Sequence, residues 1–198
     1  MARGRRVNSS GEKSKKLLLE KAVELFSIHG FHQTKISDIV KSADLTQPTF
    51  YLYFQSKETL YNDLNEKFQN ELIEIFAKSK NEQSSEPKAK EAIQENLNQI
   101  FEYFVENPNL TKIGFYESSQ SSVVKQLLVS KIENVISNDL KDYPIVQRVD
   151  KNVLAESLVG SMERLTLTKL LTKKTAPQQL AKEISMIYFA EERNLVHQ

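Results

Sequence analysis

Apolar residues recur along this chain at intervals of three and four, and the spacing predicts helices throughout, with no strand and no internal repeat. Ser14 to His29 reads as a first helix with Leu18, Ala22, Leu25 and Phe26 inward and Gly30 as its left-handed cap. Ile36, Ile39, Val40 and Ala43 fall at i, i+3, i+4 and i+7, a one-sided stripe on a second helix of about two and a half turns, with Thr34 as the expected N-cap. After Ala43-Asp44-Leu45, Thr46 caps a third helix whose Phe50 and Phe54 face inward. A long helix runs from Lys57 through Leu60, Leu64, Phe68, Leu72, Ile75 and Phe76 to about Lys80, its stripe drifting as in a helix that serves two cores. Asn81 to Pro87 has the composition of a linker. Further helices are expected over Lys88–Val105, Leu110–Glu117, Val123–Leu140, Lys151–Leu171 and Gln178 to about Leu195.

The stretch from Thr34 to Leu60 carries the chemistry. Two short helices joined by a tight turn form a helix-turn-helix, in which the N-terminal end of the second helix enters the major groove of DNA. A plain helical hairpin has the same outline, so the exposed face decides between them. A bundle helix shows water mostly Lys, Glu and Gln. This one shows Gln47, Thr49, Tyr51 and Tyr53, hydrogen-bonding groups of limited length suited to phosphates and base edges. Pro48 fits because it falls in the first turn, where its missing N–H has no partner to lose. Lys57 opens the next helix, a cation against the macrodipole that a nearby phosphate would offset.

Phe26, Gly30, Phe31, Thr34, Ile39, Val40, Ala43, Leu45, Thr46, Pro48, Thr49, Phe50, Tyr51, Tyr53, Phe54, Ser56, Lys57, Glu58 and Leu60 stand at the spacings of the DNA-binding domain of the TetR family of bacterial regulators. The chain resembles that family strongly over residues 14–64, and beyond them only in helical character and length. Asp44 replaces the usual turn glycine, a substitution the left-handed region tolerates. Leu52 replaces a His, Tyr or Arg and offers a sugar-phosphate or thymine-methyl contact instead.

The resemblance implies an all-α fold: a DNA-binding domain over residues 12–72, with its helix-turn-helix at 35–54, and a larger ligand-binding and dimerisation domain over 73–198. It implies DNA contacts from Thr34, Lys35, Thr46, Gln47, Pro48, Thr49, Tyr51, Leu52, Tyr53 and Lys57. It further implies a homodimer on a palindromic duplex. Leu154, Leu158, Met162 and Leu165 form one stripe on the penultimate helix and Leu180, Ile184, Ile187 and Tyr188 another on the last, the expected dimer seam. Val153, Gly160, Leu167 and Leu171 lie off the first stripe, and a helix apolar on more than one side must bury more than one side. Phe101, Phe104, Phe115 and Tyr116 are the aromatic residues expected at a small apolar ligand. Glu106, Glu117, Gln120, Glu163 and Arg164 are the candidate polar groups there. Operator release by such a ligand makes the protein a repressor; an activator or a ligand-independent regulator is the alternative.

Charge sharpens this picture. Residues 1–60 carry 10 Lys and Arg against 6 Asp and Glu, whereas residues 61–198 carry 17 against 20, so the positive charge gathers at the helix-turn-helix end. Arg3, Arg5 and Arg6 precede the first helix in a polar segment that reads equally as a DNA-tracking arm and as a solubilising tail. The chain has no cysteine, which excludes disulfides and thiolate metal sites. His29, His32 and His197 lack the spacing of a metal site, and no Ser-His-Asp, Cys-His or phosphate-loop pattern is present. These features predict a cytoplasmic regulator that is not an enzyme and has neither cofactor nor membrane span.

Overall fold

The computed structural model describes the backbone of residues 5–78, 89–141 and 143–189, and the side chains of 11–77, 90–141 and 143–189. All regular structure in them is helical: α1 (Arg5–Gln33), α2 (Ile36–Ser42), α3 (Gln47–Tyr51), α4 (Lys57–Lys78), α5 (Ala89–Glu106), α6 (Pro108–Thr111), α7 (Ser121–Asp139), α8 (Pro144–Arg148), α9 (Lys151–Leu165) and α10 (Pro177–Tyr188). α6 continues into a π-helical turn, Lys112–Glu117, and α9 into another, Thr166–Leu170. The linker at 81–87, Arg3, and the predicted end of the last helix at Leu195 lie outside the described residues. So do the side chains of Arg5 and Arg6.

The chain divides into two compact units. Residues up to Gln69 join Asn109–Gln120 in the first, and Asn70–Pro108 join the residues from Ser121 onward in the second. The division falls within α4, whose drifting stripe supplies Leu60, Leu64 and Phe68 to one core and Leu72 and Phe76 to the other.

In the first unit α1 starts at Arg5, nine residues ahead of the expected Ser14, because an established helix gains one hydrogen bond for each residue it adds. Leu18, Ala22 and Phe26 are its buried side. Gly30 then takes φ 78° and ψ 163°, a region that only glycine enters cheaply. Apart from its own turn of helix, no described atom lies within 4 Å of where its Cβ would stand, so the dihedral angle, not space, requires glycine there. Gly114 is the opposite case. A Cβ on it would lie 2.5 Å from the Phe68 ring, so the π-helical turn approaches α4 only because residue 114 has no side chain.

In the second unit α10 packs along α5 and α9 along α7. Asp150 caps α9, its carboxylate accepting from the N–H groups of Asn152 at 3.0 Å and Val153 at 3.1 Å. Lys125 of α7 pairs with Glu163 of α9 at 2.7 Å. α8, opened by Pro144, is too short to give a periodic signal in the sequence.

The burial pattern corrects the expected dimer seam. Leu154, Leu158, Met162, Leu180 and Ile184 are all buried within the protomer, and Leu165 is half-buried. That stripe is the protomer's own core, because α9 and α10 each need one apolar side against α7 and α5. Of the expected seam residues only Ile187 is well exposed, and the half-buried Tyr188 hydroxyl is held by Ser157 and Ser161 at 2.9 and 2.7 Å. On α9, the π-helical turn that follows it and α10, the exposed large apolar residues are Val153, Leu167, Met186 and Ile187, and the first two lie off the predicted stripe.

Candidate nucleic-acid interface

The helix-turn-helix is built by local rules. Lys35, not Thr34, is the N-cap of α2, and its N–H donates to the Asp38 carboxylate at 3.2 Å. This carboxylate does the work expected of the Thr34 hydroxyl. Thr34 is buried, and its hydroxyl donates back to the Gly30 carbonyl at 2.9 Å, fixing the corner between α1 and α2. At the turn, Asp44 takes φ 52° and the Leu45 N–H donates to the Val40 carbonyl at 2.8 Å. A left-handed residue followed by a bond that reaches back five residues closes a helix in the Schellman manner, with Asp in the place of glycine. Thr46 then caps α3: its hydroxyl oxygen accepts from the Thr49 N–H at 3.4 Å and lies 2.9 Å from the Thr49 hydroxyl.

Phe50 and Phe54 anchor the motif from beneath, both buried, with their rings 5.5 Å apart. Holding Phe50 inward turns the rest of α3 outward. Thr46, Gln47, Pro48, Tyr51 and Leu52 are exposed, the last by 77 %. Lys35 is also exposed, whereas Thr49 and Tyr53 are half-buried. Of the ten predicted DNA contacts, six thus stand on open surface and Thr34 does not. An exposed leucine of this size among hydrogen-bonding neighbours has no packing role in its own chain.

Lys57 has a task besides the one its position foretold. Its ammonium donates to the carbonyls of Phe31 at 2.7 Å and Thr34 at 2.8 Å and lies 4.3 Å from the centre of the Phe31 ring. Those carbonyls belong to the end of α1, so the cation satisfies the negative end of one helix while opening another. One of its three N–H donors is left for a phosphate. Phe31 is itself held between Phe26 and Tyr61, at 5.6 and 4.7 Å between ring centres. The lysine therefore ties α4 to the corner that carries α2. At the next residue Glu58 stands in the first turn of α4, and its carboxyl is held below the usual carboxylate range chiefly by its own backbone N–H and then by the Ser56 hydroxyl.

The second unit contains a narrow cavity of about 20 Å³. Phe76 of α4, Ile93, Asn96 and Ile100 of α5, Ile132 of α7 and Leu158 of α9 line it. None of the four aromatic residues expected at a ligand is among its walls. Phe101 and Phe104 are buried elsewhere in this unit with ring centres 6.5 Å apart, while Phe115 and Tyr116 belong to the first unit. The polar candidates are absent from these walls too. Glu117 pairs with Lys112 and Glu163 with Lys125, Gln120 bonds to Gln69 and Asn62, and Glu106 and Arg164 are exposed. Among the described residues no cluster of three metal-ligating side chains occurs, and no helix is long and apolar enough to cross a membrane.

Comparison with known proteins places this geometry. Residues 18–64 match the sequence profile of the bacterial regulatory proteins, tetR family. Over 180 residues the chain is 34 % identical to the uncharacterized HTH-type transcriptional regulator YdgC of Bacillus subtilis, covering 90 % of this chain and 92 % of that one. It is 22 % identical over 159 residues to the fatty acid metabolism regulator protein of the same organism, covering 76 % and 80 % of the two chains. Among solved structures, the transcriptional regulator FadR of Bacillus subtilis in complex with stearoyl-CoA superposes with a TM-score of 0.70 at 18 % identity, covering 88 % of this chain and 97 % of that one. The capped α3, the Asp44 turn and the phenylalanine anchor are thus the helix-turn-helix of a DNA-binding transcriptional regulator, and the chain belongs to the TetR family.

Proposed function

We propose that this regulator is a homodimeric repressor that reads a palindromic operator with the exposed face of α3 and leaves it when a small apolar ligand enters the second unit. The observation that carries the reading is that face: Gln47, Pro48, Tyr51 and Leu52 stand in solvent above the buried Phe50. Gln47 is the first-turn side chain suited to the paired donor and acceptor of adenine, and Leu52 to a thymine methyl. Lys35 and the free donor of Lys57 serve phosphates, as does the Tyr53 hydroxyl.

A five-residue helix is roughly 8 Å long and spans too few base pairs to specify a site alone. Two copies related by a twofold axis read two half-sites. Val153 and Leu167, together with Met186 and Ile187 of α10, are the exposed apolar residues suited to the seam. The hydrocarbon-lined cavity supports an apolar ligand, as does similarity to a protein named for fatty acid metabolism regulation. α4 contributes residues to both units and offers the covalent route from ligand to DNA.

Selection from random duplexes tests this reading. It is expected to return two inverted half-sites rich in A·T pairs, and a duplex pool that emerges without any repeated motif would remove sequence-specific regulation.

A further inference from the structure

Gly160 stands in the interior of α9, where glycine weakens a helix relative to alanine. Nothing described in its own protomer requires it. It takes no left-handed backbone angle, it is exposed, and outside its own stretch of helix no described atom lies within 4 Å of where its Cβ would stand. Val153, Glu156, Arg164 and Leu167 lie on the same line of the helix, seven and four residues before Gly160 and four and seven after it, and all four are exposed. Neither Glu156 nor Arg164 has an ion pair or a side-chain hydrogen bond among the described residues. We propose that this face is complementary to itself: α9 crosses the α9 of a second copy antiparallel at Gly160, so that Val153 packs on the partner's Leu167 and Glu156 pairs with the partner's Arg164, each contact made twice. The inference rests on the reading of the protein as a homodimer and adds the register of its seam.

The match depends on where the axis falls. A twofold axis across a helix sets each residue before it against the residue equally far after it. Centred on Gly160, it joins the two apolar side chains to each other and the acid to the base. Centred on Glu156 or on Arg164, it sets that charge against its own copy, which is repulsive. Centred on Ser157, it sets Val153 against Ser161. A parallel pairing brings each residue to its own copy and fails in the same way. The glycine belongs to this geometry, because helix axes ordinarily stand about 8–10 Å apart according to the side chains at their crossing, and a residue without one lets the backbones close up. The Tyr188 bonds to Ser157 and Ser161 bring the end of α10 that carries the exposed Met186 and Ile187 alongside the same line.

Sedimentation of the full-length protein with its charges exchanged tests the register. Glu156→Arg and Arg164→Glu each turn two attractive pairs into two repulsive ones, and each is expected to raise the dimer dissociation constant about tenfold or more while keeping the helical circular dichroism. The double variant is expected to return to within about threefold of the wild type. The two single variants change net charge in opposite directions, so weakening in both with recovery in the double variant is not a general effect of charge. Because the chain has no cysteine, Gly160→Cys supplies a second measurement. A residue on the axis lies against its own copy, and mild oxidation is expected to link the two chains there but not through Val153→Cys, whose copies stand at opposite ends of the contact. Unchanged dimerisation in both single variants, a double variant that stays as weak as either, or linkage through Val153→Cys in place of Gly160→Cys overturns the register and leaves a dimer joined through other residues. A wild type that sediments as a monomer at micromolar concentration removes the homodimer itself, and the register with it.

Discussion

Two surfaces that expose large apolar side chains, one on α3 and one on α9 and α10, are read here as facing different partners. On α3, Leu52 is 77 % exposed among Thr46, Gln47 and Tyr51, groups that donate and accept hydrogen bonds. On α10, Ile187 is 74 % exposed beside Met186, while α9 exposes Val153. Exposure alone does not identify a partner. The proposed partners are a polar, charged duplex with scattered methyl groups for the first and a second copy of this chain for the other.

The comparison breaks most visibly at the second surface. Leu158→Glu places an unpaired carboxylate in the protomer core at a cost of roughly 3–5 kcal/mol, a large share of the roughly 5–15 kcal/mol that holds a domain folded. Ile187→Glu changes a residue exposed on the single protomer and is expected to keep the helical circular dichroism while sedimenting as a monomer. If both variants melt like the wild type, or if Ile187→Glu remains dimeric, the exposed apolar face is not the seam.

A smaller effect is expected at the first surface. Gln47→Ala removes the side chain best placed for a base edge and is expected to cost about 1–3 kcal/mol on the selected operator. Affinity for unrelated duplexes should stay nearly constant, so the ratio of the two carries the result. Uniform weakening on all sequences would make Gln47 a backbone contact.

The smallest effect isolates Leu52. Replacing the thymines of the selected half-site one at a time by deoxyuridine removes a single methyl group, and burial of one such group is worth about 0.8 kcal/mol. One position is expected to weaken binding by roughly fourfold with the wild type and not at all with Leu52→Ala. Uridine tolerated everywhere by the wild type would move Leu52 onto the sugar-phosphate backbone.

How far such features can be read from a sequence depends on the distance over which they are determined. The Asp44 turn, the Thr46 cap and the inward Phe50 and Phe54 follow from residues within five positions of one another, and all four are where local rules put them. Thr34 misled because Asp38 competes with it for the same cap, a choice made only when both side chains have a place to go. The Lys57 bonds reach carbonyls 23 and 26 residues away, beyond any periodic signal. Helices with two apolar sides do not state which side faces their own chain, so the sequence shows apolar residues on more than one side of α9 but not which stripe is internal.

The central claim is sequence-specific recognition by the face of α3, and one ratio tests it most directly. Affinity for the selected palindrome is to be measured against a scrambled duplex of equal length and composition, both at about 0.15 M salt, where electrostatic binding to any DNA is already weakened. The account predicts a preference on the order of a thousandfold or more. Equal affinity for the two duplexes would contradict it.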